Sequence, residues 1–136
     1  ASIGIEQLKK INLIKNKKNL IANFYNKELS KIPQVQVPFV PKYVTQHSWY
    51  NYSIQVDQSK RDKLVKYLEK NGVETRLSFP PIHIQPFYAK KFKFKKNNYK
   101  NAFIAYKRLI DLPIWYGLEK KSQVKIIKLI KKFFSK

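Results

Sequence analysis

The chain has 136 residues, enough for one hydrophobic core and too few for two, so a single domain spanning residues 1–136 is expected. It carries 29 Lys and Arg against eight Asp and Glu, a net charge of +21, with no cysteine and two histidines, His47 and His83. That composition excludes a disulfide frame, a thiolate nucleophile and a thiolate metal site, and it leaves little from which to build a zinc site.

No run of about 18 apolar residues offers a membrane span, and no charged-then-apolar start of the secretory kind is present, so a cytoplasmic protein is expected. The excess charge invites a polyanion partner. Against that, only Arg61, Arg76 and Arg108 carry the planar guanidinium suited to bidentate phosphate and base-edge contacts, and the lysines are spread over every segment. A solvated basic face is the simpler reading, with nucleic acid bound only nonspecifically. There is no methionine, and a helical pattern is already running at Ala1, so the sequence is expected to be the tail of a longer one.

In chain order, Ile3, Ile5, Leu8, Ile11, Ile14, Ile21, Phe24, Tyr25 and Leu29 recur at three- and four-residue intervals, predicting one long amphipathic helix over most of residues 3–30. Lys31-Ile32-Pro33 ends it. Residues 34–46, with Pro38 and Pro41, read as an extended connector with at most a short edge strand at Val35 to Val37. Ser48 to Val56 alternates large apolar with polar residues and predicts a half-buried strand, with Trp49, Ile54 and Val56 in the core. Asp57 or Ser59 caps the next helix, whose Leu64, Val65 and Leu68 share a face before Asn71-Gly72 stops it. Val73 to Phe79 is expected as a strand parallel to the first or one strand removed.

Pro80-Pro81 and Pro86 then bracket Ile82-His83-Ile84-Gln85; prolines fix φ and bias their predecessors to extended backbone, so a stiff loop results. Lys90 to Lys100 reads as a solvated loop or short helix. Asn101 to Ile110 predicts a helix and Asp111 to Trp115 a strand confined to an edge or start by Pro113; Ser122 caps a last helix with Val124, Ile127, Leu129, Ile130, Phe133 and Phe134 on its apolar face. The expected fold class is α+β: a small mixed sheet of about three strands with helices on one face.

His83 is a candidate acid, base or ligand donor, or else a packing residue. Arg76, on the strand leading to the loop, suits a phosphate or carboxylate, or equally a cross-strand Glu74 or Asp111. Trp49, Tyr50, Tyr52 and Trp115 could stack a base or sugar, or simply fill the core. The three glycines are isolated, so no glycine-rich phosphate loop exists, and no serine–histidine–acid spacing is recognisable.

Several stretches together resemble one family. Ala1-Ser2-Ile3-Gly4-Ile5-Glu6-Gln7-Leu8 is similar to a Q-A-A-I-G-L-x-Q-L helix entered after its glutamine, and Gln46-His47-Ser48-Trp49 to an H-S-[WF] strand start. Gly72-Val73-Glu74-Thr75-Arg76 followed by Phe79-Pro80-Pro81-Ile82-His83-Ile84-Gln85-Pro86-Phe87-Tyr88 resembles G-I-x-T-R, aromatic-P-x-x-H, Q-P-x-Y, and Leu112-Pro113-Ile114 with Gly117-Leu118 resembles the strand and turn before a last helix. These are the motifs of the DegT/DnrJ/EryC1/StrS family of pyridoxal-phosphate-dependent aminotransferases acting on nucleotide-linked keto-sugars, in its perosamine-synthase-like members. The resemblance implies the C-terminal small domain of a fold-type-I aminotransferase in a homodimeric full-length protein. The cofactor lysine, the acidic partner of the pyridine nitrogen and most phosphate contacts would lie in a large domain upstream.

It further implies that Ser78, Phe79, His83 and Tyr88, with Arg76 beside them, face the sugar nucleotide, and that no catalytic residue lies here. None of the lysines sits in a matching cofactor motif, so pyridoxal phosphate is not expected to bind this chain alone. Many relatives carry His-Tyr where this chain has Ser78-Phe79, so hydroxyl contacts made there are not carried over. A basic nucleic-acid-binding module and a stand-alone dimerisation domain are the rival readings.

Overall fold

A computed structural model describes residues 2–135; Ala1, the first residue of the resemblance to the family's opening helix, lies outside them. The segment expected as one helix is two, α1 (Ser2–Lys9) and α2 (Ile11–Leu29), divided at Lys10, whose N–H bonds back only three residues to the Gln7 carbonyl. α1 buries nothing, with Ile3 80% exposed, so no tertiary packing holds the two helices in one register. α2 is held by Ile21, Ala22, Tyr25 and Leu29, which fall on one face and are buried.

The sheet is two antiparallel strands, β1 (Tyr52–Gln55) and β2 (Leu109–Leu112), extended by single bridges from Gln36 to Gln55 and from Arg76 to Asp111. Three of the expected strands are therefore shorter or displaced. The strand expected from Ser48 starts only at Tyr52, because Trp49 takes a left-handed φ of 49° that turns its indole into the core, where Nε1 donates to Asn19 Oδ1 at 2.6 Å. The strand expected over Val73 to Phe79 shrinks to the bridge at Arg76.

The third strand, expected from Asp111 to Trp115, instead ends before Pro113, and Leu109 and Ile110, expected as helix, belong to it. With its proline outside, β2 is free to pair on both sides. Since both its neighbours run antiparallel to it, the Arg76 segment is parallel to β1 and one strand removed, as the helical crossover requires.

That crossover is α3 (Gln58–Lys70), capped by Asp57, whose carboxylate accepts from the Ser59 N–H at 2.8 Å, and closed by Gly72 at φ 73°. An arm follows: a 3₁₀ turn (Ile82–Ile84), α4 (Pro86–Phe92), a second 3₁₀ turn (Lys96–Tyr99), then α5 (Lys100–Arg108). The last helix, α6 (Lys120–Phe134), starts two residues ahead of the expected Ser122 cap; Glu119 precedes it and gives no side-chain cap. α6 packs on α2 and α3, while α3 touches β2 and α5 touches β1. Tyr25, Leu29, Tyr52, Ile54, Leu64, Leu68, Ile110 and Ile130 are fully buried between these layers. The class is α+β.

Candidate functional site

β2 places the buried Asp111 side chain at the root of the loop. Its Oδ1 accepts from Ser53 Oγ at 2.5 Å, and its Oδ2 lies 3.9 Å from Arg76 Nε with no hydrogen bond. Arg76 is half exposed, and its guanidinium carbon stands 5.6 Å from the Phe79 ring centre. Of the two alternatives for Arg76, the cross-strand Asp111 is therefore its neighbour in the fold, at a separation too long for a hydrogen bond.

Beside this edge is a cavity of about 530 Å³, within the range of small-molecule pockets. Its walls include Tyr50, Thr75, Arg76, Trp115 and Lys125. The four aromatic candidates divide cleanly. Trp49 and Tyr52 are core, whereas Tyr50 is 76% and Trp115 51% exposed at the cavity. The turn at Trp49 separates them, and no residue type at that position announced it. Thr75 Oγ1 and Asp111 Oδ2 are unpartnered but closed off from solvent.

The loop residues separate from the cavity. Ser78 is half-buried, Phe79 is 82% exposed, and Tyr88 sits on α4, its ring nearly parallel to that of Phe92 at 6.4 Å. His83 turns inward and is 5% exposed. Its Nε2 lies 3.3 Å from the Lys96 carbonyl oxygen and its ring 5.1 Å from Tyr99. The structure thus brings Arg76 and Phe79 together and sets His83 as the peg between the two 3₁₀ turns of the arm. Among the described residues no group of three or more His, Asp or Glu could hold a metal, and no helix is long and apolar enough to cross a membrane.

The model of the DegT/DnrJ/EryC1/StrS aminotransferase family matches residues 1–131. The chain belongs to that family. It is 36% identical over 142 residues to GDP-perosamine synthase of Vibrio cholerae, covering 99% of this chain and 36% of that protein. It is 32% identical to the spore coat polysaccharide biosynthesis protein SpsC of Bacillus subtilis, covering 85% of this chain and 31% of that one. Among solved structures, a DegT/DnrJ/EryC1/StrS aminotransferase from Brucella abortus superposes with a TM-score of 0.83 at 26% identity, over 97% of this chain and 34% of its own. The chain spans about a third of the length of these family members.

Pyridoxal phosphate asks two things of a site, a partner for its pyridine nitrogen and backbone N–H groups for its phosphate. Of the two carboxylates in the cavity wall, Asp111 has one oxygen bonded to Ser53 and the other shut away from solvent, and Glu74 is exposed. Gly72, the glycine in that wall, ends α3 instead of opening a helix, so it presents no helix N-terminus to a phosphate there.

Proposed function

We propose that the chain is the C-terminal small domain, residues 1–136, of a cytoplasmic aminotransferase that moves an amino group from glutamate to a 4-keto-6-deoxy sugar nucleotide for surface polysaccharide synthesis. The cofactor, its lysine and its acidic partner belong to the large domain in this reading, and the full-length protein is a homodimer. The supporting observation is the family match over residues 1–131, taken with the position of its most characteristic stretch, Gly72 to Tyr88, along a free sheet edge and an exposed loop.

In this role the small domain supplies a wall and no chemistry. Arg76 stands as a half-exposed cation with the Phe79 ring beside it, a combination that receives an anionic or hydroxyl-bearing ligand. Ser78, in the loop, and Tyr88, on α4, each carry a hydroxyl. His83 holds the loop's shape from within, so its part in substrate recognition is to position its neighbours. The electron-sink chemistry belongs to the cofactor.

Mixing the chain with pyridoxal phosphate tests the division of labour. The expected spectrum is that of free cofactor. A stoichiometric, site-specific aldimine band that a single lysine substitution abolishes would place chemistry in this chain and overturn the reading.

A further inference from the structure

Ser53, Asp111 and Arg76 form one row across the sheet. Ser53 on β1 stands opposite Asp111 on β2, and Arg76 stands opposite Asp111 on its other side. The two pairings differ in width. Asp111 turns both backbone groups toward Arg76, which makes that the wide pair with Cα atoms about 5.5 Å apart and leaves the narrow pair, about 4.5 Å, for Ser53. The serine hydroxyl therefore reaches Oδ1, while Oδ2 stands 3.9 Å from Arg76 Nε.

Asp111 is the one buried carboxylate among the described residues, in a chain with eight acids against 29 bases. Ser53 needs only an acceptor, which a neutral amide would supply. The charge has its use at the guanidinium: Oδ2 is closed off from solvent without a hydrogen-bond partner, and among the described residues Arg76 is the cation paired with it. A buried carboxylate oxygen in that state draws the nearest charged donor toward it. Attraction at Nε fixes one edge of the planar fork and leaves the two terminal nitrogens for another anion. The Phe79 ring, 5.6 Å from the guanidinium carbon, limits the fork from a second direction. With the Arg76 side chain 54% exposed in the cavity wall, the outer edge of the fork is open to a ligand.

We propose that Asp111 is a positioning residue: its carboxylate, oriented by Ser53, holds the Nε edge of Arg76 so that the terminal nitrogens face the cavity and meet one anionic group of the substrate end-on. This deepens the reading of the loop as a substrate wall and rests on it. Asp111 does not touch the substrate; it acts through Arg76.

The test is a double-mutant cycle with this chain in place of the matching third of Vibrio cholerae GDP-perosamine synthase. Asp111→Asn keeps an acceptor for Ser53 and removes the charge. It is expected to raise the KM for the keto-sugar nucleotide about fivefold, the size of one charge pair, with kcat and the cofactor absorbance unchanged. In an Arg76→Ala background the same substitution is expected to change KM no further, because residues acting through one contact are not additive. Ser53→Ala, which keeps the charge and loosens its aim, is expected to raise KM less and to be silent without Arg76 as well. Where Asp111→Asn fails to fold, Ser53→Ala carries the same cycle. In the ¹⁵N-labelled 136-residue chain, Asp111→Asn is expected to shift the Nε–H resonance of Arg76 and to leave those of Arg61 and Arg108 in place.

A KM rise that persists at full size without Arg76 shows that Asp111 serves the fold and overturns the proposal. So does an unshifted Arg76 resonance, or a KM indifferent to Asp111→Asn while Arg76→Ala raises it. If Arg76→Ala itself leaves KM unchanged, the substrate wall falls and the positioning role falls with it, so the two failures are told apart.

Discussion

Arg76 and Asp111 exchange both backbone hydrogen bonds, Arg76 N–H to the Asp111 carbonyl at 3.1 Å and Asp111 N–H to the Arg76 carbonyl at 2.8 Å. Within the same pair, the Asp111 carboxylate is tied to Ser53 on the opposite strand. One residue of β2 therefore ties the root of the loop to the core. Asp111→Ala removes the Ser53 acceptor and is expected to cost about 1–3 kcal/mol. Asp111→Asn, which keeps an acceptor for Ser53, is expected to cost less. Urea unfolding of both variants checks the order.

Tyr25 and Tyr52 are buried with rings 5.0 Å apart; Tyr25 Oη donates to the Pro113 carbonyl at 3.1 Å and Tyr52 Oη to Asn26 Oδ1 at 2.6 Å. Burial pushes both phenols well above their ordinary range, and for Tyr52 the neighbouring Tyr25 adds to the rise. Because the folded values are raised, the stabilisation is complete below the unfolded tyrosine value of about 10 and is lost as pH climbs above it. Thermal midpoints are expected to fall between pH 10 and 11.5. Tyr52→Phe is expected to flatten that fall while costing about 1 kcal/mol at neutral pH.

Gly72 closes α3 at φ 73°, and a Cβ there would meet only Lys125 Nζ, at 3.5 Å. The expected loss for Gly72→Ala, about 1–2 kcal/mol, is thus backbone strain and not collision. Gly4, inside α1 with nothing within 4 Å of a Cβ, makes the opposite case. Gly4→Ala is expected to add helix content in α1, read by circular dichroism.

His83 joins the two 3₁₀ turns, and α4 beside it buries no residue, so the arm has little else to hold it. His83→Ala is expected to speed amide exchange across residues 82–99 at least about tenfold while leaving α2, α3 and α6 protected. Uniform loss of protection across the chain would show that His83 supports the whole core instead.

Much of this was legible in the residues. Leu64, Val65 and Leu68 marked α3, Asn71-Gly72 its end, and the crossover allowed the next segment to lie beside β1 or one strand removed, of which the Arg76 bridge takes the second. What was not legible depends on tertiary packing. Nothing at Trp49 signals a left-handed backbone, yet burying its indole turns the chain and delays β1. Leu109 and Ile110 continue the helical pattern of α5, and only pairing with Ile54 and Gln55 makes them strand. That His83 points inward and Tyr50 and Trp115 outward is decided by contacts made across the chain.

The central claim is tested most directly by exchanging this chain for the matching third of Vibrio cholerae GDP-perosamine synthase and measuring amino transfer from glutamate to the keto-sugar nucleotide. The chimera is expected to transaminate. Arg76→Ala and Phe79→Ala in it are expected to raise the KM for the sugar nucleotide at least about tenfold, with the cofactor absorbance unchanged. A folded chimera that retains its cofactor band but does not turn over, or one whose KM is indifferent to both substitutions, would contradict the assignment of this loop to the substrate wall.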